Sequence, residues 1–289
     1  MATADRLASM NFIADLPLYH SEKPYNCQSK DLPGGEITNL IFETNSGIVV
    51  QDVRGRQNEF TLKEHGFMFL DHESQVKAEV GSMDFIYQYL EETIALLKGQ
   101  FQADKVICYD LRIRRNVAKE EVTGDKNDRA TAMFAVQDVH VDQTLNGGYQ
   151  RIKRHIRSDE VMHLSKDEWQ ALIMNVWRPL HHEVEDAPLA FCDYNSVNPD
   201  DLLEADRVYE TYNGEIYYMK HNPAQKWYYL NHQKPSEVAI FTSFISDPGE
   251  DAKFCPHVSF QDKTAPAGCH KRESVEVRAI ILRRKRSDV

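Results

Sequence analysis

Short runs of apolar, β-branched and aromatic residues, separated by turn residues, follow one another through the second half of this 289-residue chain. Eight runs are predicted to be strands, over residues 133–144, 172–177, 189–194, 215–220, 226–229, 238–244, 257–261 and 274–282. The helical interruptions between them are brief, which favours antiparallel pairing over parallel strands with helical crossovers. The pattern therefore predicts an antiparallel β-barrel or sandwich, which we take as one domain over residues 1–289.

The first half of the chain gives fewer strand signals. Residues 1–35 carry no periodic pattern and are expected to form an irregular segment before a core of residues 36–289. Runs at 36–42 and 47–52 flank Thr44-Asn45-Ser46, a turn composition, and predict a β-hairpin. Ser82 suits the N-cap of an amphipathic helix that we expect to end at Gly99 and to pack outside the β-structure.

Three more segments are predicted to connect the strands. Residues 119–129 are nearly all polar and predict a surface loop. Ser165 with Glu168 three residues later matches a capping box, which predicts that a helix begins there. Pro199 after Asn198 suits the first turn of another short helix.

Charge and cysteine content argue against several kinds of partner. The 45 acidic and 34 basic residues give a net charge of -11, the wrong sign for a nucleic-acid surface. Five cysteines without regular spacing favour a reducing compartment over a disulfide framework. No stretch approaches the ~18 apolar residues of a membrane span. We therefore expect a cytoplasmic protein that binds neither nucleic acid nor membrane, and we interpret the basic residues 283–286 as a solvated tail.

One short motif carries the candidate chemistry. His140 and Asp142 are two residues apart in a predicted strand, so both project from one face while Val141 faces the other way. Two imidazoles and one carboxylate form the facial triad that suits non-haem Fe(II) and leaves coordination positions open. His257, which begins a later apolar run, is the candidate for the third ligand.

A candidate carboxylate-binding pair follows on the last predicted strand. Arg272 and Ser274 share one strand face, so a guanidinium and a hydroxyl can together bind the distal carboxylate of a dicarboxylic cosubstrate. Arg278 is predicted to lie on the same strand face, and it is the alternative carboxylate-binding residue if Arg272 points outward. An isolated His-x-Asp is common by chance, so the order of the three motifs along the chain is what favours an oxygenase.

The same motifs, in the same order, resemble those of the double-stranded β-helix Fe(II)/2-oxoglutarate-dependent oxygenases. More narrowly, the chain is similar to the fungal AsaB-type hydroxylase/desaturase group, which is related to the cephamycin methoxylase accessory chain and the novofumigatonin-pathway endoperoxidase. The segments that carry this likeness are residues 140–144, 175–179, 185–190, 192–194, 226–229 and 272–278.

This resemblance implies a jelly-roll fold in which His140, Asp142 and His257 bind Fe(II) and Arg272 with Ser274 binds 2-oxoglutarate. It also implies that 2-oxoglutarate and oxygen yield succinate and CO2 while hydrogen is abstracted from a small hydrophobic natural product, with a terpenoid as the expected substrate. Hydroxylation, desaturation and endoperoxide formation are all compatible with such a site, and a homodimer is a further possibility.

Two other interpretations of these residues stay open. Cys255 and His257, with Cys269 and His270, have the ligand types of a structural zinc site, although no Cys-x2-Cys pair supports it. A cupin-like binding or scaffold protein could use the same residues for a structural metal or for none. Aromatic residues at 217–218 and 227–229 are interpreted as core, and the carboxylates of residues 186, 193 and 215 as exposed.

Overall fold

The framework of the protein is a pair of β-sheets. The computed structural model describes residues 4–28, 36–122, 129–166 and 168–285. With strands numbered in chain order, the larger sheet runs β1 (Arg6–Ile13), β4 (Phe42–Asp52), β13 (Trp227–Tyr229), β10 (Leu189–Cys192), β15 (His257–Ser259), β8 (His140–Val141), β12 (Tyr212–Met219), β11 (Leu202–Tyr209), β2 (Tyr25–Gln28) and β3 (Glu36–Thr38). The smaller sheet runs β5 (Phe67–Asp71), β14 (Glu237–Ile245), β9 (Trp169–Pro179), β16 (Glu273–Arg284), β6 (Lys105–Arg115) and β7 (Met133–Phe134).

The α-helices of the described residues are α1 (Leu62–His65), α2 (Met83–Phe101), α3 (Leu145–His155) and α4 (Ser158–Ser165). None of them combines the length and apolar content that crossing a membrane requires. The prediction of a mainly β fold with flanking helices is confirmed.

The smaller sheet separates two apolar regions, because alternate residues of its strands face opposite sides. Met174 and Val176 of β9 face outward and pack in one cluster with Tyr89 of α2. Trp177 of β9 faces inward and packs in a different cluster with Phe191 of the larger sheet. The two sheets therefore face each other with α2 outside, and burial of each such side chain contributes about 1.5–3 kcal/mol.

The larger sheet curls around a core of its own. Its edge strand β1 returns to the segment before β8, where the Asn11 N–H donates to the Gln137 carbonyl at 3.2 Å and the Val139 N–H donates to the Asn11 carbonyl at 2.9 Å. Phe12 and Trp227 meet edge to face inside the curl. The two backbone hydrogen bonds of Asn11 satisfy groups of an edge strand that would otherwise be open to pairing with another chain.

Two expectations for the first half of the chain are wrong. Residues 1–35 are not irregular throughout, because β1 and β2 lie within them, while residues 29–35 fall outside the described ranges. The hairpin is also absent from its predicted place, since Thr44-Asn45-Ser46 lies inside the continuous strand β4. Pairing of β4 with β1, which includes all three of these residues, outweighs the local turn preference.

Helix α2 begins where predicted and ends later. The Ser82 hydroxyl caps it by accepting a hydrogen bond from the Phe85 N–H at 3.3 Å. The helix continues past Gly99 to Phe101 and ends at Gln102, whose φ of 47° is left-handed. The chain therefore ends this helix through a strained non-glycine residue, although a glycine lies three positions earlier.

Other local predictions had mixed outcomes. The helix expected to begin at Ser165 is wrong, because α4 ends at that residue and β9 follows. Pro199 does begin a short 3-10 turn capped by Asn198.

Strands β5, β6 and β11 were not predicted. The polar segment 119–129 begins with a 3-10 turn over Lys119–Glu121, but residues 123–128 fall outside the described ranges. The basic run 283–286 is not simply a tail, because Arg283 and Arg284 end strand β16; residue 286 falls outside the described ranges.

Candidate metal and cosubstrate site

The three predicted metal ligands converge between the two sheets. His140 in β8 and His257 in β15 are direct register partners, and their ring centroids are 4.4 Å apart. Asp142 lies two residues beyond His140, and its Oδ1 is 3.8 Å from the His140 Nε2. One ligand atom from each of the three residues lies within 4.8 Å of the others. The arrangement offers two nitrogens and one carboxylate oxygen to a single ion.

Backbone carbonyls orient both imidazoles. The Nδ1 of His140 lies 2.8 Å from the Asp138 carbonyl, and the Nδ1 of His257 lies 3.1 Å from the Cys255 carbonyl. A carbonyl oxygen can only accept, so each Nδ1 carries the proton and each Nε2 keeps a free lone pair. Burial, followed by the nearby His257, lowers the pKa of His140 to about 3, so this imidazole is neutral near pH 7.

The smaller sheet fixes the Asp142 carboxylate. Arg278 in β16 donates from Nε to Oδ2 at 2.9 Å and from Nη2 to Oδ1 at 3.0 Å. Asn175 in β9 donates to the same Oδ2 at 2.5 Å, and Ser243 in β14 donates to the Asn175 Oδ1 at 2.8 Å. Burial works to raise the pKa of Asp142, but the charge of Arg278, the neighbouring His257 and His140, and the hydrogen bond from Arg278 together outweigh burial and hold this pKa well below its ordinary value. The carboxylate is therefore an oriented anion.

Arg278 is the centre of a buried charge network. Besides Asp142, it contacts the Asp110 carboxylate at 2.9 Å and the Glu276 carboxylate at 2.7 Å. Burial opposes its charge, yet these three carboxylates raise the pKa of Arg278 well above its ordinary value. Its donors are occupied by protein carboxylates, which argues against the alternative that Arg278 binds the cosubstrate.

Arg272 has a different environment from Arg278. It lines a small cavity whose wall also includes both imidazoles of the ligand group. Its Nη1 donates to the Ala187 carbonyl at 2.8 Å and to the Ser259 hydroxyl at 2.9 Å. Within the described ranges no carboxylate forms an ion pair with Arg272, and its Nε is buried without a partner, as is the Oγ of Ser274.

This pair of unsatisfied groups fits a carboxylate ligand. Burial, and next the charge of Arg114, lowers the pKa of Arg272 to about 10, so the guanidinium is a poorly compensated cation. Buried polar groups almost always have a partner, and each unsatisfied one costs about 1–3 kcal/mol. A carboxylate that accepts from Arg272 and Ser274 would satisfy both groups.

Several residues of this site were not predicted from the sequence. Asn175 belongs to one of the family-like segments, and a single amide inside the buried run of β9 is itself a signal of a polar site. The charged residues of β6 and β16, among them Asp110, Arg114 and Glu276, alternate with apolar residues, and this marks one polar face. No local pattern shows which carboxylate pairs with which arginine.

The zinc hypothesis is not supported by the described residues. Among them, His140, Asp142 and His257 are the only group of potential ligands close enough for one metal, and it contains no cysteine. The Cys255 Sγ points to the Cys192 carbonyl at 3.8 Å. The ring of His270 stacks on another histidine, His182, at 3.7 Å.

Two expectations about other side chains had opposite outcomes. The carboxylates of Asp186, Asp193 and Glu215 are buried, which corrects the expectation that they are exposed. Asp186, for example, accepts from the backbone N–H of Arg272 at 3.0 Å and so supports the start of β16. Trp227 and Tyr229 do pack in the core, as predicted.

Comparison with known proteins gives matches over most of the chain. A family profile described as "Oxidoreductase/YMDC permease-like domain" matches residues 10–282. The chain is 30% identical over 263 residues to the hydroxylase/desaturase efuI of Hormonema carpetanum, which covers 85% of this chain and 86% of that protein. It is 27% identical over 257 residues to the Fe(II)/2-oxoglutarate-dependent dioxygenase nvfI of Aspergillus novofumigatus, and the match covers 86% of this chain and 87% of that protein.

A solved structure also matches. The iron and alpha-ketoglutarate-dependent endoperoxidase NvfI superposes with a TM-score of 0.81 at 22% identity, covering 97% of this chain and 99% of that chain. At this identity the likeness establishes a shared fold. It confirms the predicted double-stranded β-helix.

Proposed function

We propose that this chain, which belongs to the fungal hydroxylase/desaturase family of Fe(II)- and 2-oxoglutarate-dependent oxygenases, binds Fe(II) through His140, Asp142 and His257. Arg272 and Ser274 bind the distal carboxylate of 2-oxoglutarate. When bound, the metal and cosubstrate supply oxidation of a substrate C–H bond, coupled to conversion of 2-oxoglutarate and oxygen to succinate and CO2. The observation that carries the proposal is the convergence of the three ligand side chains beside a buried arginine that forms no ion pair with any carboxylate of the described residues.

The surrounding protein groups orient the three ligand side chains in the metal-free protein. Backbone carbonyls set the tautomers of His140 and His257, so their Nε2 lone pairs are available. Arg278 and Asn175 hold the Asp142 carboxylate in one orientation. Because Arg278 and Asn175 lie in paired strands of the smaller sheet, little side-chain entropy is lost when the metal binds.

The cavity wall favours an anion in a water-poor setting. Apolar residues Val136, Trp177, Leu189 and Val258 form part of the wall, and Arg272 contributes a positive charge. A charge interaction in such a low-dielectric place is several times stronger than the same interaction in water. These walls bind and orient a dicarboxylate and exclude solvent from the metal ligands.

The substrate that we propose is a small hydrophobic natural product of terpenoid type. Relatives named hydroxylase/desaturase and endoperoxidase support hydrogen abstraction as the shared step, with different outcomes. A cytoplasmic location and a homodimer stay predictions, and size-exclusion chromatography with light scattering tests the dimer.

Formation of succinate tests the proposed function. The purified protein, loaded with Fe(II) and supplied with 2-oxoglutarate and oxygen, is expected to form succinate even without substrate. Asp142→Ala should lower that rate by more than about 100-fold, because loss of a residue that merely orients a ligand already costs about 10–100-fold.

The matched control is Asp159→Ala, which removes an exposed carboxylate paired with Arg157 and should leave the rate unchanged. Circular dichroism checks that both variants fold. Succinate formation retained in Asp142→Ala contradicts the ligand assignment. Tightly held zinc in a wild-type protein that does not turn over 2-oxoglutarate favours the scaffold alternative.

A further inference from the structure

A second buried arginine lines the same cavity as Arg272. Arg114 lies in β6, where it is the direct register partner of Ser274 in β16. The cavity wall includes Arg114, Arg272 and Glu276 together with the imidazoles of His140 and His257. Arg114 therefore faces the cavity in which we place the cosubstrate.

The charge of Arg114 is only loosely compensated. Its Nη1 donates to the Phe134 carbonyl at 3.0 Å. Its ion-pair partner is Glu276, whose Oε2 is 3.9 Å from the Arg114 Nε, too far for a hydrogen bond. The other oxygen of Glu276 lies 2.7 Å from Arg278 and 2.9 Å from Asn175, so this carboxylate is held mainly by the metal-ligand network.

The wall of the cavity consequently has more positive than negative charge. Two guanidinium groups, those of Arg114 and Arg272, face one carboxylate, that of Glu276. Burial lowers the pKa of Arg114, and the charge of Arg114 contributes to lowering the pKa of Arg272. An anion placed near both arginines would relieve this repulsion and replace lost solvation.

We infer that Arg114 is a second guanidinium contact for the distal carboxylate of 2-oxoglutarate, so that this carboxylate is bound between Arg114 and Arg272. The inference rests on the proposed function and adds a binding residue to it. It makes the site selective for dicarboxylic 2-oxo acids, because a 2-oxo acid without the distal carboxylate leaves two cations uncompensated.

Ligand binding to the manganese-loaded protein tests this inference without relying on turnover. Isothermal titration under anaerobic conditions compares 2-oxoglutarate with 2-oxobutyrate, which keeps the 2-oxo acid end but has no distal carboxylate. In Arg114→Gln, the Kd for 2-oxoglutarate should rise by at least about tenfold, while the Kd for 2-oxobutyrate changes by less than about threefold. Arg114→Lys keeps the charge and should show a smaller, still selective loss.

Arg115→Gln is the matched control. Arg115 is the next residue of β6, is 45% exposed, and pairs with Glu273 on the other face of the strand. Its substitution should leave the affinity for both ligands unchanged.

Three outcomes would overturn the inference. The first is an Arg114→Gln protein that binds 2-oxoglutarate like wild type. The second is an equal loss of affinity for both ligands, which indicates a general structural defect; if Arg114→Gln fails to fold, these same two criteria apply to Arg114→Lys. The third is a wild-type protein that does not bind 2-oxoglutarate, and this result contradicts the proposed function as well.

Discussion

Ile113 and Arg114 are neighbours in β6, yet they face two different environments. Ile113 is fully buried in the cluster formed by the outer face of the smaller sheet and α2. Arg114 points to the inner face, where charged side chains surround the metal ligands. The outer face stabilises the fold by burial of apolar area, whereas the inner face holds polar groups whose partners are incomplete without a ligand. Stability and chemistry are thus divided between the two faces of one sheet.

The largest loss of stability is expected when the inner network loses its central cation. Arg278→Gln leaves three carboxylates, Asp110, Asp142 and Glu276, without their shared counter-charge. Removing one partner of a buried ion pair costs about 3–5 kcal/mol, so the free energy of unfolding of the metal-free protein should fall by that amount. Urea denaturation near pH 7 measures it.

The control for this change is Arg283→Gln, later in the same strand, where the guanidinium donates to the uncharged side chain of Gln170. Its effect should be below about 1 kcal/mol. An Arg278→Gln protein as stable as wild type would show that the inner network does not behave as one unit.

The next largest effect is expected on the outer face. Ile113→Ala removes a buried side chain and leaves a cavity against α2, which should cost about 2–5 kcal/mol of unfolding free energy. Manganese and 2-oxoglutarate affinities, measured where the variant is fully folded, should stay within about threefold of wild type. If both affinities fall in parallel with stability, the division between the two faces is not valid.

A smaller loss is expected from Ser243→Ala. The Ser243 hydroxyl donates to the Asn175 Oδ1 in a buried position, and its removal leaves that oxygen without this donor. The free energy of unfolding should fall by about 1–3 kcal/mol. Because Asn175 also donates to Asp142, manganese affinity should weaken as well. A stability loss with unchanged metal affinity would separate Ser243 from the metal site.

Arg272→Met should have the smallest effect on stability and a large one on binding. The change removes a buried cation that has no carboxylate partner in the part of the chain that the structure describes, and it also removes the hydrogen bonds to Ala187 and Ser259, so the two effects offset. The free energy of unfolding should stay within about 1 kcal/mol of wild type, while 2-oxoglutarate affinity falls by at least about tenfold. A loss above 3 kcal/mol would identify Arg272 as a structural residue.

The local parts of the site could be predicted from the sequence, and the long-range parts could not. The two-residue spacing of His140 and Asp142 predicted that both belong to one ligand group, although β8 ends at Val141 and Asp142 lies just beyond the strand. His257 begins an apolar run that is indeed a strand. The position of Arg278 against Asn175, by contrast, depends on the register between β16 and β9. That register is set by pairing along eleven residue pairs, which no local pattern encodes. Strand β4 shows the same limit, because pairing of its turn-like residues with β1 outweighs their local preference.

An anaerobic titration of the metal-free protein with Fe(II), with and without 2-oxoglutarate, tests the central claim most directly. The account predicts one Fe(II) bound per chain and a visible absorption change that requires both Fe(II) and 2-oxoglutarate and is lost in His257→Ala. Two results would contradict the proposal that the two imidazoles and the carboxylate form one ferrous site beside an arginine that binds the cosubstrate. One is iron binding without any absorption change when 2-oxoglutarate is added, and the other is an absorption change in His257→Ala equal to that of wild type.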